Sequence, residues 1–306
     1  MARRLSPVLT LTAGAAIVGL ALSACGSSSL STPAPSGSTA AATQSADAAL
    51  AALLPAKVKS SGQIVVGVDS TYAPNEFLNA DGKTVEGMDV DLFDAVAQKL
   101  GVKKVVWTPA SFDTIITGVE SGKYDIGVSS FTINNTRLAQ VNMVSYFNAG
   151  TQWATAPGNP KKVNPQSPCG LNVAVQKGTV QEQVDMPPKV AACAKTGKPI
   201  NLQIYGGQDQ ATAAVVAGKA DAMLADSPVV AYAIKQSGGK IAAAGSIYSS
   251  APYGYVVPKS ETTFAQALAS ALKSINTNGA YNKVLGTWGN SAGAINSFAV
   301  NPTVSQ

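Results

Sequence analysis

From Gln63 onward the chain alternates short apolar runs with stretches whose apolar residues recur at helical spacing. Ile64-Val65-Val66-Gly67-Val68 is a compact run suited to a strand buried on both faces. Residues 88–100 place Phe93, Val96, Ala97 and Leu100 on one helical face. Asp89 and Asp91 fall in the first turn, where the helix dipole favours acids. A second strand is predicted at 105–107, and a third at 124–128. Between them 112–121 reads as a helix with Phe112, Ile115, Ile116 and Val119 on its apolar face. That β-α-β-α-β order winds a parallel sheet. It then repeats: strands at 172–175, 202–205 and 220–224 alternate with a helix starting at Val180 and another at 209–217. The fold class expected is therefore α/β, in two lobes of the same grammar, and a length of 306 residues suits two compact units.

The halves also echo one another in sequence. Gly122-Lys123-Tyr124-Asp125 opens the third strand of the first half, and Gly218-Lys219-Ala220-Asp221 opens its counterpart. Ser130 and Asp226 stand equally far beyond those glycines, just past the carboxyl ends of their strands, where open α/β sheets bind ligands. Two such lobes facing each other make one cleft with a polar group from each side. Segments near 152–155 and 251–255 are expected to join them, and two crossings permit closure about a defined axis. The first lobe is thus expected to comprise 61–152 and 254–306, the second 153–253. In the last part Leu268, Ala271, Leu272 and Ile275 form a helical stripe that Gly279 stops, followed by a short segment at 281–285.

Composition narrows the chemistry. The chain has no histidine, which removes imidazole bases, His-containing triads and most catalytic zinc sites. Only 13% of residues are charged, and the lysines are scattered with doublets at Lys103-Lys104 and Lys161-Lys162 alone. Nucleic-acid surfaces need clustered cations, so that partner is not expected. Three cysteines cannot supply a four-thiolate metal site, and no cofactor is implied. Arg3 and Arg4 precede a moderately apolar stretch that ends in Ser23-Ala24-Cys25, the layout of a secretory leader over 1–24. Without those two arginines the net charge falls from +5 to +3.

Leu22-Ser23-Ala24-Cys25 resembles the bacterial lipobox, in which the cysteine is acylated and heads the mature protein. Two acyl chains anchor stably, at about 0.8 kcal/mol per buried methylene. The uncharged Ser/Thr/Ala/Pro/Gly stretch at 26–46 cannot form a core, and a flexible tether over 25–60 is expected to hold the body outside a membrane. In that oxidising compartment Cys169 and Cys193, the remaining pair, are expected to join, contributing about 3 kcal/mol by chain entropy.

The body, residues 56–306, resembles the extracytoplasmic solute-binding proteins of ABC importers, polar amino-acid group. Gly87-Met88-Asp89-Val90-Asp91-Leu92 carries the family's signature. Asp69-Ser70-Thr71-Tyr72-Ala73-Pro74, Ser129-Ser130-Phe131-Thr132-Ile133-Asn134-Asn135-Thr136-Arg137, Val175-Gln176-Lys177-Gly178-Thr179 and 281–289 support it in the right order. The resemblance implies a type II periplasmic-binding-protein fold, with two Rossmann-like lobes on a two-segment hinge. It also implies a monomer that takes one amino acid and docks on a permease. Arg137 matches the carboxylate clamp, a role that suits a guanidinium's paired donors. Backbone N–H groups around Thr132, and of Thr179 and Val180, add donors. Asp226 matches the acid that receives the ammonium, with Ser129, Ser130 and Thr132 nearby. Tyr72 and Phe112 match the flanking aromatics, and Asp69 the acid toward the ligand's tip. Asn75 departs from the family, where many members have an aromatic. Side-chain selectivity is expected to rest on Asp69, Tyr72, Asn75, Glu76 and Phe112, and an acid plus an amide at the far end suggest a polar or cationic side chain such as glutamine, arginine, lysine or ornithine.

Simpler readings of these residues are a loop arginine, a helix cap at Asp226 before Ser227-Pro228, a core role for Phe112 and a solvated Glu76. The rival function is an enzyme on the same scaffold, a cyclohexadienyl or arogenate dehydratase-like lyase with Glu76 or Asp69 as general acid. A ligand-sensing subunit of a membrane receptor would share the site and differ in partner.

Overall fold

The computed structural model describes residues 43–304. The expected leader over 1–24 and Cys25 lie outside the described residues. Among the described residues no helix is long and apolar enough to cross a membrane. Short helices α1 (Ala48–Ala51) and α2 (Ala56–Ser61) precede the first strand, and the side chain of Asp47 caps α1. Val58 is buried in the first-lobe core with Leu54, and the Asp47 N–H donates to the Lys99 carbonyl. This corrects the expected tether through residue 60: sparse as they are, these apolar residues find the flank of the first helical layer.

The first lobe then follows the predicted order. Strand β1 (Gln63–Val68) leads to a small antiparallel sheet of β2 (Thr71–Tyr72), β3 (Glu76–Leu78) and β4 (Val85–Glu86). Helix α3 (Met88–Lys99), strand β5 (Lys104–Pro109), helix α4 (Phe112–Glu120), strand β6 (Ile126–Gly127) and helix α5 (Asn135–Gln140) complete it. β1 lies between β5 and β6, parallel to both. Gly87, with φ +141°, starts α3 because any side chain there would strike the Asn75 carbonyl, 2.1 Å from an ideal Cβ. The close approach lets the Met88 and Asp89 N–H groups donate to the Pro74 and Asn75 carbonyls, satisfying donors that a helix start leaves open.

Strand β7 (Asn142–Thr155) runs out of this lobe into the second. There β8 (Asn172–Gln176), a π-helical turn at Gln181–Asp185, α6 (Met186–Lys195), β9 (Asn201–Tyr205), α7 (Gln208–Val216), β10 (Ala222–Asp226) and α8 (Ser227–Gln236) follow. Strand β11 (Ala242–Val257) returns to the first lobe, and α9 (Thr262–Thr277) and α10 (Ala280–Thr287) pack on its core. The eight strands order as β5-β1-β6-β11-β7-β10-β8-β9, with β7 and β11 antiparallel along most of their length. Their pairing shifts register between Ala244 and Ala251, where the chain passes between lobes. The lobes are thus joined by two strands of one continuous ladder. The terminal segment closes the free side of β7: Ser145 N–H donates to the Ala299 carbonyl and Asn301 N–H to that of Met143.

The sequence echo has a structural cause. Asp125 accepts from the Val65 N–H at 2.8 Å, and Asp221 accepts from the Asn172 N–H at 2.8 Å. Each thus ties the third strand of its lobe to the backbone of the first. The Cys169–Cys193 disulfide, with Cα atoms 5.0 Å apart, staples the approach to β8 onto α6.

Candidate functional site

Arg137 is the only arginine in the chain beyond Arg4, and it is buried at the lobe interface. Its backbone is fixed by the side chain of Asn134, which accepts the Arg137 N–H at 2.8 Å and so starts α5. The guanidinium lies 5.4 Å from the ring centres of both Phe112 and Phe131, which stack on each other. Nη1 donates to the Thr132 carbonyl at 2.7 Å, and Nη2 donates across the interface to the Gly178 carbonyl at 3.0 Å. A guanidinium has five donors, so three are left for a ligand. Burial lowers its pKa to about 10, opposed by Asp226 and Tyr72, and it stays cationic at neutral pH.

The facing wall comes from the second lobe. Asp226 ends β10 and stands at the N-cap position of α8, yet its side chain makes no capping bond. Oδ1 instead accepts from Gln181 Nε2 at 2.8 Å, and Oδ2 accepts from the Tyr253 hydroxyl at 2.8 Å. Burial pushes its carboxyl above the usual range, against those hydrogen bonds and the pull of Arg137. Thr179 Oγ1 accepts the Glu182 N–H, and the Glu182 carboxylate accepts the Gly178 N–H. This reciprocal cap fixes the start of the second-lobe helix with Thr179 and Val180 facing the cleft. Gly178 has φ +79°, and a Cβ there would sit 2.8 Å from Cβ of Asp113 in the other lobe.

Tyr72, Phe112, Ser130, Thr132, Arg137, Thr179, Val180, Gln181 and Asp226 together line a cavity, with about 220 Å³ of non-atom space when the open solvent at its mouth is included. Ser130 and Asp226, the two ends of the sequence echo, are both in that wall. Phe112 serves the helix core and the cavity at once. Four of the expected residues lie outside the lining: Asp69, Asn75, Glu76 and Ser129. Asn75 Nδ2 donates to Ser130 Oγ at 2.9 Å, behind the wall. Glu76 is neither solvated nor in the cleft; it is fully buried and accepts from Ser129 Oγ and Ser130 Oγ.

Asp69 sits apart, at the lobe interface. Its Oδ1 accepts from the Thr71 hydroxyl at 2.9 Å, and its Oδ2 accepts from Gln176 Nε2 of the other lobe. Burial raises its carboxyl to about 6, and Asp209 adds a smaller push in the same direction. Gln176 Oε1 is buried with no partner. Thr71 Oγ1 also accepts the Gln208 N–H at 3.1 Å, and the Tyr72 hydroxyl accepts that of Asp226 at 3.2 Å, so the lobes touch across the cleft. An exposed rim pair, Lys177 with Asp113 at 2.7 Å, adds little stability. Gln176, Gln181, Phe131 and Tyr253 were not among the expected site residues. Gln176 and Phe131 stood inside the family motifs, whereas nothing local marks Gln181 or Tyr253.

A polar cavity between two α/β lobes, walled by a buried guanidinium on one side and a buried carboxylate on the other, frames the comparison with known proteins. Residues 64–291 match the family of bacterial extracellular solute-binding proteins, family 3. The chain belongs to that family. The arginine-binding protein ArgT of Corynebacterium glutamicum is 34% identical over 253 residues, which is 82% of each chain. A solved ancestral arginine-binding protein bound to arginine superposes with a TM-score of 0.68 at 30% identity, covering 74% of this chain and 98% of that one. An ancestral amino acid-binding protein, a precursor of cyclohexadienyl dehydratase, superposes with a TM-score of 0.66 at 31% identity, covering 76% and 97%. The family member described here is thus an amino-acid-binding solute-binding protein of the ABC-transporter type, on the type II binding-protein fold.

Proposed function

We propose that this solute-binding protein captures a cationic amino acid, arginine foremost, in the interlobe cleft and delivers it to an ABC permease. The observation that carries the reading is the pairing of Arg137 and Asp226 in one cavity wall from opposite lobes. A zwitterion losing water there needs an opposite charge at each pole, since an uncompensated buried ion costs several kcal/mol. Arg137 suits the carboxylate and Asp226 the ammonium. The cationic side chain is argued from a second set of acceptors nearby, the Asp69 carboxylate, Asp209 and the unpartnered Gln176 Oε1. A guanidinium supplies the donors such a set lacks. Relatives with 30% identity or more bind arginine by name, which supports the same choice.

The dehydratase alternative has less support. Glu76, one of the two acids cast in it, lies outside the cavity lining with its carboxylate bonded to Ser129 and Ser130, and Asp226 would repel a dicarboxylate. Titration calorimetry with arginine, lysine, ornithine, glutamine and prephenate tests the reading. Arginine is expected to bind tightest, at micromolar dissociation constants or below, about −8 kcal/mol. Tighter binding of glutamine, or turnover of prephenate, would overturn it.

Cys25, which lies outside the described residues, is proposed to carry the acyl anchor. Cys25→Ser is expected to move the protein from the membrane to the soluble fraction on cell fractionation. A variant that stays membrane-bound would refute the acyl anchor.

A further inference from the structure

Behind the cavity wall lies a carboxyl pair that ligand contact does not explain. Glu76 on β3 and Asp89 in the first turn of α3 are both 0% exposed. They come within hydrogen-bonding reach of one another because Gly87 lets α3 start against the Asn75 carbonyl. Both carboxyls converge on Ser130. Its N–H donates to Asp89 Oδ2 at 2.9 Å, and its hydroxyl lies 3.2 Å from Glu76 Oε2 and 3.3 Å from Asp89 Oδ2. Ser129 Oγ donates to Glu76 Oε1, and the Tyr146 hydroxyl donates to Asp89 Oδ2. Asp89 Oδ1 is buried and has no partner.

Among the described residues no cation compensates the pair. The four ion pairs of the described residues lie elsewhere. The titratable groups that face it are Asp69 at the end of β1, Tyr72 on β2, Tyr146 on β7 and Tyr255 on β11, an acid and three phenols. Two adjacent buried carboxylates cannot both ionise, and one must keep a proton. Burial pushes both carboxyls up, and Asp89 Oδ2 accepts from the Ser130 N–H and the Tyr146 hydroxyl, donors that favour its ionised form, so the shared proton falls to Glu76. The proton is held in the hydrogen bond between the two carboxyls.

Ser130 has φ +49°, a left-handed conformation unusual for a residue with a side chain, and it lines the cavity opposite Asp226. We infer that Glu76, neutral and hydrogen-bonded to ionised Asp89, is a positioning residue that clamps Ser130 in this conformation and so sets the ligand-facing wall. The inference rests on the binding reading above for the site, but the protonation state does not.

The test uses the mature chain with infrared difference spectroscopy and arginine titration. At pH 8, where exposed carboxyls are ionised, the wild-type protein is expected to show a carboxylic-acid carbonyl band that is absent in Glu76→Gln. Glu76→Gln keeps a neutral donor and is expected to bind arginine within about threefold of wild type. Glu76→Ala and Asp89→Asn are expected to lose about tenfold or more while still melting cooperatively, the scale of a lost hydrogen bond to a charged group. A missing acid band, or Glu76→Gln binding as weakly as Glu76→Ala, overturns the inference. If no amino acid binds, the band in wild type alone still decides the shared proton, so the two readings fail separately.

Discussion

Arg137→Ala is expected to abolish binding of every α-amino acid tested, a loss on the order of a hundredfold or more by calorimetry. Truncating one partner of a buried, hydrogen-bonded charge pair costs about 2–5 kcal/mol, because the other charge is left in a dry site. Nothing nearby replaces the guanidinium, since the chain has no other arginine beyond Arg4. The Phe112 and Phe131 rings that lie against it offer no donor to a carboxylate. Arg137→Lys separates charge from geometry. The ammonium keeps the charge but not the planar fork, and it forfeits the simultaneous reach to the Thr132 and Gly178 carbonyls. Its affinity is expected to fall between wild type and alanine. Because the bond to the Gly178 carbonyl also links the lobes, melting curves of the ligand-free variants are needed beside the titrations. Retained affinity in a folded alanine variant would refute the carboxylate clamp.

Much of this framework was legible in the chain because the information is local. β1, β5, α3, α4, α7 and α9 follow directly from apolar spacing, and the Gly-Lys-x-Asp echo marks equivalent turns whose aspartates bond equivalent backbone N–H groups. β2, β3 and β4 escaped because strands of two or three residues carry no period. β11 escaped for another reason. Its first half is largely exposed and its second half buried, and the register shifts between them break any alternation. Only its crossing region was anticipated. α8 was seen merely as a possible cap at Asp226, which the structure replaces by bonds from Gln181 and Tyr253.

The site divides along the same line. Residues inside contiguous motifs, from Ser129 to Arg137 and from Gln176 to Val180, could be placed by order alone. The roles of the acids could not, since they depend on what burial does to a charge. Asp89 and Asp91 looked like first-turn acids suited to a helix dipole. In the structure Asp89 holds Ser130 and Tyr146, and Asp91 accepts from Trp288 Nε1 at 2.8 Å. Glu76 looked like a ligand contact and lies one layer behind it.

Asp69 gives the second large effect, because it separates recognition of the amino-acid core from recognition of the side chain. Asp69→Asn is expected to weaken arginine binding by about a hundredfold, roughly 3 kcal/mol for one buried ion left without its partner. Glutamine, whose tip is neutral, is expected to stay within about threefold. The sign of the pH effect follows from the raised carboxyl, near 6 in the ligand-free protein. A guanidinium binds the ionised form, so arginine binding pulls the proton off, and affinity falls as pH drops through 6. At pH 5 about nine in ten Asp69 carboxyls hold their proton, and arginine affinity is expected to be about tenfold below its value at pH 7.5. In Asp69→Asn that difference should vanish, and glutamine should show little of it in either protein. Equal losses for arginine and glutamine would move Asp69 from the side-chain end of the site to its shared part. A pH-independent arginine affinity in wild type would remove it from the ligand's surroundings altogether.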